Sequence, residues 1–424
     1  MAQGPSPKKS DHLYSLSKRG AYGKIIQHIQ DHDDEHVRFG AAGVLSESIH
    51  GFKQQMTPEA RKALISVVLS DPSDSVRANV LRVLIEIDES MVDNVIARLE
   101  MEPQATPTGT PYPLILTKWH STRRPELRYL SVAGFGNVAS KSAISKLRTT
   151  VEREENLLVL KRAIKESGEV GDEKFVTPIQ GYLRVDDDTY QLSANETEIR
   201  EIKQTAVEAL VKIGTDAAYE ALVTASRGTD EELREHVISE IGKFGAQNTV
   251  DLIVDELNNE DNDELRGEAA EGVITSFTES EFEEGHSVRE QAIDMISEDV
   301  ETDVTDEFVS IVDESPRKSE QRNAAWLLGQ LEDTSEETVD CLLDALNDDD
   351  AYLQKVATAS LAKLDPNEIA GKIDDFLDAV DEDTEAHTLG RFVKSNLEDE
   401  AEKAKKELVD YSYISDPSDY TTQR

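Results

Sequence analysis

One pattern recurs along most of the chain: an acidic or polar residue, an aliphatic, often an arginine, then small and apolar residues at helical spacing. It reads DEHVRFGAAGVL from Asp34, DSVRANVLRVLIEI from Asp74 and PELRYLSVAGFGNV from Pro125. It returns as EIREIKQTAVEALVKIG from Glu198, ELREHVISEIGKFG from Glu232 and DELRGEAAEGVI from Asp263. EQRNAAWLLGQL from Glu320 and AYLQKVATASLAKL from Ala351 complete the series. Arg200, Arg234 and Arg266 lie 34 and 32 residues apart, and Arg322, Gln354 and Thr388 continue at 32 and 34. A period of this length is the signature of a repeat architecture, in which each unit is one supersecondary element.

Each copy is expected to be a helix. Leu265, Ala269, Val273 and Phe277 fall at four-residue intervals and form one apolar stripe. Asp34, Asp74 and Asp263 stand where a carboxylate can cap the first turn. Gly214 and Gly245 stand where a left-handed residue ends a helix. Alanine and glycine along the stripes allow close helix approach. Between the copies lie further amphipathic segments, DAAYEALVTASR from Asp216, NTVDLIVDELNN from Asn248 and ETVDCLLDALND from Glu337. The unit is therefore a helical hairpin, and a lone hairpin cannot bury both its faces, so stacked neighbours must complete the core.

This aliphatic-Arg-x-x-Ala-Ala-x-x-Leu-Gly style resembles HEAT repeats of the short, phycobilisome-lyase-like kind. The resemblance covers about residues 20–397. It implies an all-α solenoid of about ten hairpins forming a curved superhelix, with a long concave face free for another macromolecule. It also implies that the recurring Arg and Asp bridge adjacent repeats. The pattern lapses at Leu160–Lys161, Gln354 and Thr388, so the ladder should be incomplete.

The expected organisation is a flexible segment at 1–20, the solenoid at 21–397 and an acidic helix end with a flexible tail at 398–424. Three segments break the rhythm. Met101–Pro125 holds five prolines and reads as a loop or extended excursion. Residues 185–198 read as a polar loop, and 278–303 as an irregular acidic insertion. Insertions in repeat arrays protrude from one face and often bind.

The formal net charge is −42, from 87 acidic and 45 basic residues. Such a balance bears on solubility and surroundings rather than fold. It resembles proteins of salt-accumulating archaea, whose molar salt shrinks the Debye length to about 3 Å and screens self-repulsion. The charge is uneven. Residues 1–165 hold 23 basic and 19 acidic side chains, and 118–165 alone hold 11 against four. That stretch reads as an anion-facing surface, with Trp119, Arg123, Arg124, Arg128, Lys141, Lys146 and Arg148 as candidate partner-binding residues. An acidic protein is favoured over nucleic acid as partner, because counterion release weakens steeply with salt and no dedicated nucleic-acid motif is present. The bland alternative is a solvated face whose arginines, Arg128 first, only bridge repeats. Trp119 is either an interface anchor beside Arg123 or a plug that tucks the excursion onto the solenoid.

Catalytic readings fare poorly. Deoxyhypusine hydroxylase shares this architecture and binds two irons through His-Glu dyads, but the dyad positions here read Gly267-Glu268, Phe39-Gly40 and Asn323-Ala324. His28, His32 and His36 have spacing that could ligate a metal, yet they cross an expected hairpin turn and read as a solvated turn. Cys341, the only cysteine, reads as a small buried hydrophobe, and Trp326 as core. No cofactor or metal site is expected. No apolar run approaches membrane-spanning length, and the first residues lack the core of a signal peptide, so a cytoplasmic protein with no membrane partner is expected. Oligomeric state is not legible. The expectation is a non-catalytic adaptor, by resemblance one of the archaeal proteins linking chemotaxis proteins to the motility apparatus. The alternatives are a nucleic-acid-associated protein using the 118–165 surface, or a bilin-lyase-like enzyme.

Overall fold

The computed structural model describes residues 7–99, 114–184, 195–244, 247–259, 262–280, 285–300 and 303–398. Among these, regular structure is helical throughout. The chain forms two compact units, Met1–Ala221 and Leu222–Arg424.

The first unit opens with α1 (Pro7–Lys18) and continues as five hairpins. They are α2 (Tyr22–Asp31) with α3 (Glu35–Glu47), and α5 (Pro58–Ser70) with α6 (Asp74–Ile87). Next come α8 (Leu114–His120) with α9 (Pro125–Val138), then α10 (Lys141–Arg153) with α11 (Leu157–Val170), then α12 (Val176–Leu183) with α13 (Glu196–Ile213). Two short helices, α4 (Ile49–Gln54) and α7 (Met91–Ala97), fill connections. The second helices form one layer, α3, α6, α9, α11 and α13 each packing on the next. The other layer places α2 on α5, α5 on α7 and α10 on α12.

Helix α14 (Asp216–Ser226) runs across the unit boundary, and α15 (Glu231–Ile241) follows it. The second unit then repeats the hairpin with α16 (Gln247–Leu257) and α17 (Asp263–Glu279). After an additional helix, α18 (Gly285–Asp299), come α19 (Thr305–Glu314) with α20 (Lys318–Gln330). The last two pairs are α21 (Glu336–Ala345) with α22 (Ala351–Leu361), and α23 (Pro366–Ala379) with α24 (Glu385–Glu398). Here α15, α17, α20, α22 and α24 form the continuous layer. Among the described residues nine such hairpins are packed, against the about ten expected, with α14 and α15 following one another in sequence, and the architecture is that of an α-solenoid.

The local causes are those expected, with corrections at the caps. Asp34 does cap α3, accepting from the His36 amide at 3.0 Å. At the other two starts the residue before the aspartate takes the role: Ser73 accepts from Val76 and Asn262 from Leu265. A side chain one position earlier reaches the first-turn amides with a non-helical backbone, which is the geometry a cap requires. Asn195 and Glu198 close a full capping box on α13. Gly214 ends that helix in the left-handed region at φ 63°, whereas Gly245 lies outside the described residues.

The stripe Leu265, Ala269, Val273 and Phe277 is completely buried. Leu265, Val273 and Phe277 each contribute roughly 1.5–3 kcal/mol when removed from water. Small residues set the helix spacing. A Cβ on Gly168 would stand 2.8 Å from the Ala209 Cα, and one on Gly329 would stand 2.4 Å from the Ser360 Cβ.

Three segments differ from the sequence expectation. Residues 7–18 form a helix rather than a flexible lead, because Leu13 and Leu16 are buried. The Pro-rich excursion ends in α8, with Leu116 and Trp119 buried; its residues 101–113 lie outside the described residues. The acidic insertion contains α18, whose Val288, Ala292 and Ile296 recur every four residues and are buried. Heavy acidity between them masks that stripe. The polar loop at 185–198 lies outside the described residues up to 194.

Candidate partner-binding surface

The basic stretch 118–165 folds into α8, the α8–α9 turn, α9, α10 and most of α11. Helices α8 and α10 touch, His120 Nε2 lying 2.9 Å from Thr150 Oγ1. Burial pushes the His120 imidazole below its ordinary range, and the nearby Lys146 and Arg128 charges act in the same direction. The two helices thus share a neutral, buried seam and leave basic side chains on their open sides.

The seven candidate residues separate into two groups. Trp119 is 1 % exposed, so it plugs α8 onto the hairpin stack and is not available as an interface anchor. The Arg77 guanidinium lies 5.6 Å from its ring centroid. Arg124 is half-buried and donates to the Ser75 hydroxyl. Arg128 donates to both carboxylate oxygens of Glu154, at 2.9 and 2.8 Å, and to the Thr122 carbonyl at 3.0 Å. Lys146 is half-buried with its ammonium 5.9 Å from the Phe135 ring centroid. These four are structural.

Arg123, Lys141 and Arg148 are exposed. Arg148 pairs with Glu152 at 2.8 Å along its own helix, in a solvated contact of the kind worth ~0.3–0.5 kcal/mol. Arg153, which sequence reasoning left off the candidate set, is also exposed. No carboxylate among the described residues pairs with Arg123, Lys141 or Arg153. Lys118 is exposed but its ammonium reaches Asp74 at 2.9 Å.

Arg128 belongs to a series running through the repeats. Arg38 donates to Asp71 at 2.8 and 3.2 Å and to the His32 carbonyl at 2.8 Å. Arg234 engages both oxygens of Glu256, Arg266 engages Glu307, and Arg322 reaches Asp350 at 2.6 Å. The fork of a guanidinium suits this task, since one edge takes a carboxylate while another donor remains for a carbonyl. At two expected lapses the structure shows what replaces the rung. Leu160 is simply buried, and the adjacent Lys161 pairs with Glu201. Gln354 keeps the carbonyl bond, to Asp348 at 2.8 Å.

A second charged group lies among α7, α9 and α11, with Arg162 and Glu166 buried and Glu89 and Asp93 exposed at its edge. Arg162 contacts Glu166 at 2.6 Å, Asp93 at 2.9 Å and Glu89 at 3.2 Å, with its guanidinium 5.3 Å from the Tyr129 ring centroid. Burial pushes the Glu166 carboxyl up to about 7 against the pull of Arg162. Sequence reasoning missed this group, although Arg162 and Glu166 stand one helical turn apart.

Of the three histidines, His28 and His32 lie near one another, at 6.0 Å between ring centroids, while His36 is carried away on α3. His12 of α1 takes the third place, 5.7 Å from His28. Among the described residues no three ligating side chains converge as a metal site. Cys341 is buried, and burial raises its thiol. Trp326 is buried against Phe277. No described helix is long and apolar enough to cross a membrane.

Residues 196–274, from α13 to α17, match the model of the HEAT-repeat family. The solved structures similar to this chain are distant. The complex of CpcE and CpcF of phycocyanin lyase from Nostoc sp. is 14% identical, covering 70% of this chain and 98% of that one, at a TM-score of 0.33. The beta-catenin structure from a study of its phosphorylation-controlled interaction with cadherin is 15% identical, covering 92% and 85%, at 0.43. The Kap95p structure with RanGDP is 12% identical, covering 92% and 53%, at 0.39. No curated protein sequence matches the chain.

Proposed function

We propose that this chain is a non-catalytic scaffold that holds a partner protein, and that the partner sits on the open sides of α8 and α10. The observation that carries this is local. Arg123, Lys141 and Arg153 are exposed and have no carboxylate partner among the described residues, in a protein of net charge −42. In so acidic a chain, cations left unpaired where acids are plentiful favour an acidic ligand. The setting we propose is a salt-accumulating archaeon, with the scaffold linking taxis proteins to the motility apparatus; its support is the overall acidity and the repeat type.

The test is charge reversal at Arg123, Lys141, Arg148 and Arg153 together, all to Glu, in the full chain. Expected is an unchanged far-UV spectrum and melting temperature, with loss of the proteins that co-purify with the unaltered chain. Co-purification that persists in the variant would sink the assignment of this surface. Loss of co-purification on nuclease treatment alone would replace protein by nucleic acid as the partner.

A further inference from the structure

Arg162 of α11 is buried and meets three carboxylates with a single positive charge. Two of them reach it across a seam. Glu89, in the turn before α7, and Asp93, in the first turn of α7, accept hydrogen bonds from its two terminal nitrogens, at 3.2 and 2.9 Å. Tyr129 of α9 joins them, its hydroxyl donating to Glu89. The third carboxylate, Glu166, stands one turn along α11. One of its oxygens lies 2.6 Å from the Arg162 Nε, yet that nitrogen has no hydrogen-bond acceptor among the described residues. Helix α7 therefore holds the guanidinium by hydrogen bonds, and Glu166 holds it by charge alone.

Glu166 is also closed in. It is 7 % exposed, and its carboxylate occupies the space that a Cβ on Gly136 of α9 would need. One guanidinium cannot neutralise three carboxylates, and the most desolvated of them pays the largest penalty for ionising. Arg162 favours the charged form of Glu166, while Asp93 and Glu169 oppose it, and Glu169 is itself paired with Lys212 of α13. Lys165 acts on Glu89 instead. With burial the largest cause, the Glu166 carboxyl is pushed up to about 7.

We infer that α7 is a strap fastened by a proton: Glu166 must be neutral for Arg162 to give its whole charge to Glu89 and Asp93. Ionised Glu166 competes for the guanidinium and repels Asp93. Lifting α7 ends both effects, so Glu166 ionises more readily with the strap lifted than with it docked. The docked form thus carries the extra proton. By linkage its hold is complete below about 4.5 and declines as pH rises to about 7. Met91, Val92, Val95 and Ile96 of the strap are buried against α5, α6 and α9. These apolar contacts share the hold, so loosening takes the form of local opening that bares the seam for part of the time.

The experiment is hydrogen exchange of the full chain at fixed KCl, corrected for the intrinsic pH dependence of amide exchange. Between pH 5 and pH 8 the protection of the Val95 and Ile96 amides should fall about tenfold, with α3 unchanged. Glu166→Gln, neutral at every pH, should keep at pH 8 the protection that the unaltered chain has at pH 5. Asp93→Asn, at an exposed position, should cut the fall to about threefold, because the charge that Glu166 repels is gone. An undiminished fall in Glu166→Gln would overturn the clasp. An equal fall in α3 would do the same, since it would report loosening of the whole unit. Should Glu166→Gln not fold, Asp93→Asn decides alone, and a full tenfold fall there refutes the competition for Arg162.

Discussion

At Glu166 the carboxyl is pushed from the usual 4.5 up to about 7 by burial, with Asp93 and Glu169 adding to the effect and Arg162 opposing it. The native state therefore binds more protons than the unfolded state between those values. Unlike a carboxylate stabilised by its partner, Glu166 is most favourable below about pH 4.5, and its cost grows as pH rises to about 7. The full shift corresponds to about 3 kcal/mol at most. Glu166→Gln is expected to flatten this part of the stability profile, giving a smaller loss of denaturation midpoint between pH 5 and pH 8. A slope unchanged from the unaltered chain would place the proton elsewhere. Arg38 behaves differently, because both it and Asp71 are buried and paired. Asp71→Ala strands a buried guanidinium and should cost about 3–5 kcal/mol in urea unfolding. The Arg38 rung was legible through the resemblance to HEAT repeats, which implies bridging arginines. The Arg162 group was not, because Glu89 and Asp93 come from α7 and the preceding turn, far away in sequence, and Glu166 one turn along α11 does not by itself reveal them.

Helix α8 shows where element-scale reading succeeded and where it stopped. Prolines before Leu114 mark an excursion in the sequence, and the short apolar run LILTKW was absorbed into it. Seven residues are too few to display periodicity, so only packing could reveal that Leu116 and Trp119 face inward. Trp119→Ala is accordingly expected to cost about 3–5 kcal/mol by opening a cavity, while Arg123→Ala alone should leave the melting temperature unchanged. Similar loss from both would contradict the separation into plug and surface. Between α20 and α22 the contact is set by Gly329, and Gly329→Ala should destabilise by about 1–3 kcal/mol through overpacking. Pairing it with Ser360→Gly should recover much of that loss, which calorimetry of the double variant would show. Glycine along the stripe was read correctly as permitting close approach, though its partner residues were not.

Across the whole molecule, charge follows the two units. The first holds 28 basic and 32 acidic residues, the second 17 and 55. Asp255, Asp306 and Asp313 in the second unit are all raised, by burial first and then by neighbouring carboxylates. Such repulsion weakens as salt shortens the Debye length from about 30 Å at 0.01 M to about 3 Å at 1 M. Hydrogen exchange at falling KCl should therefore show the second unit losing protection first. Simultaneous loss in both would mean that their unlike charge does not govern stability. The repeat rhythm made the number and kind of hairpins readable from one sequence, because each copy restates the same stripe. What it left dark were single contacts: which carboxylates answer which cations, and which cations are left unanswered.

The rungs also have a direction. Each complete one fastens the bend of its own hairpin to an acid of a neighbour, so parting two hairpins means breaking a clasp as well as an oily seam. Toward the C-terminus the clasps thin out among the described residues, with the Gln354 side chain holding its own bend and the Thr388 hydroxyl donating to the Thr384 carbonyl just before α24. The array is a zip with its last teeth filed down, and it should fray from that end.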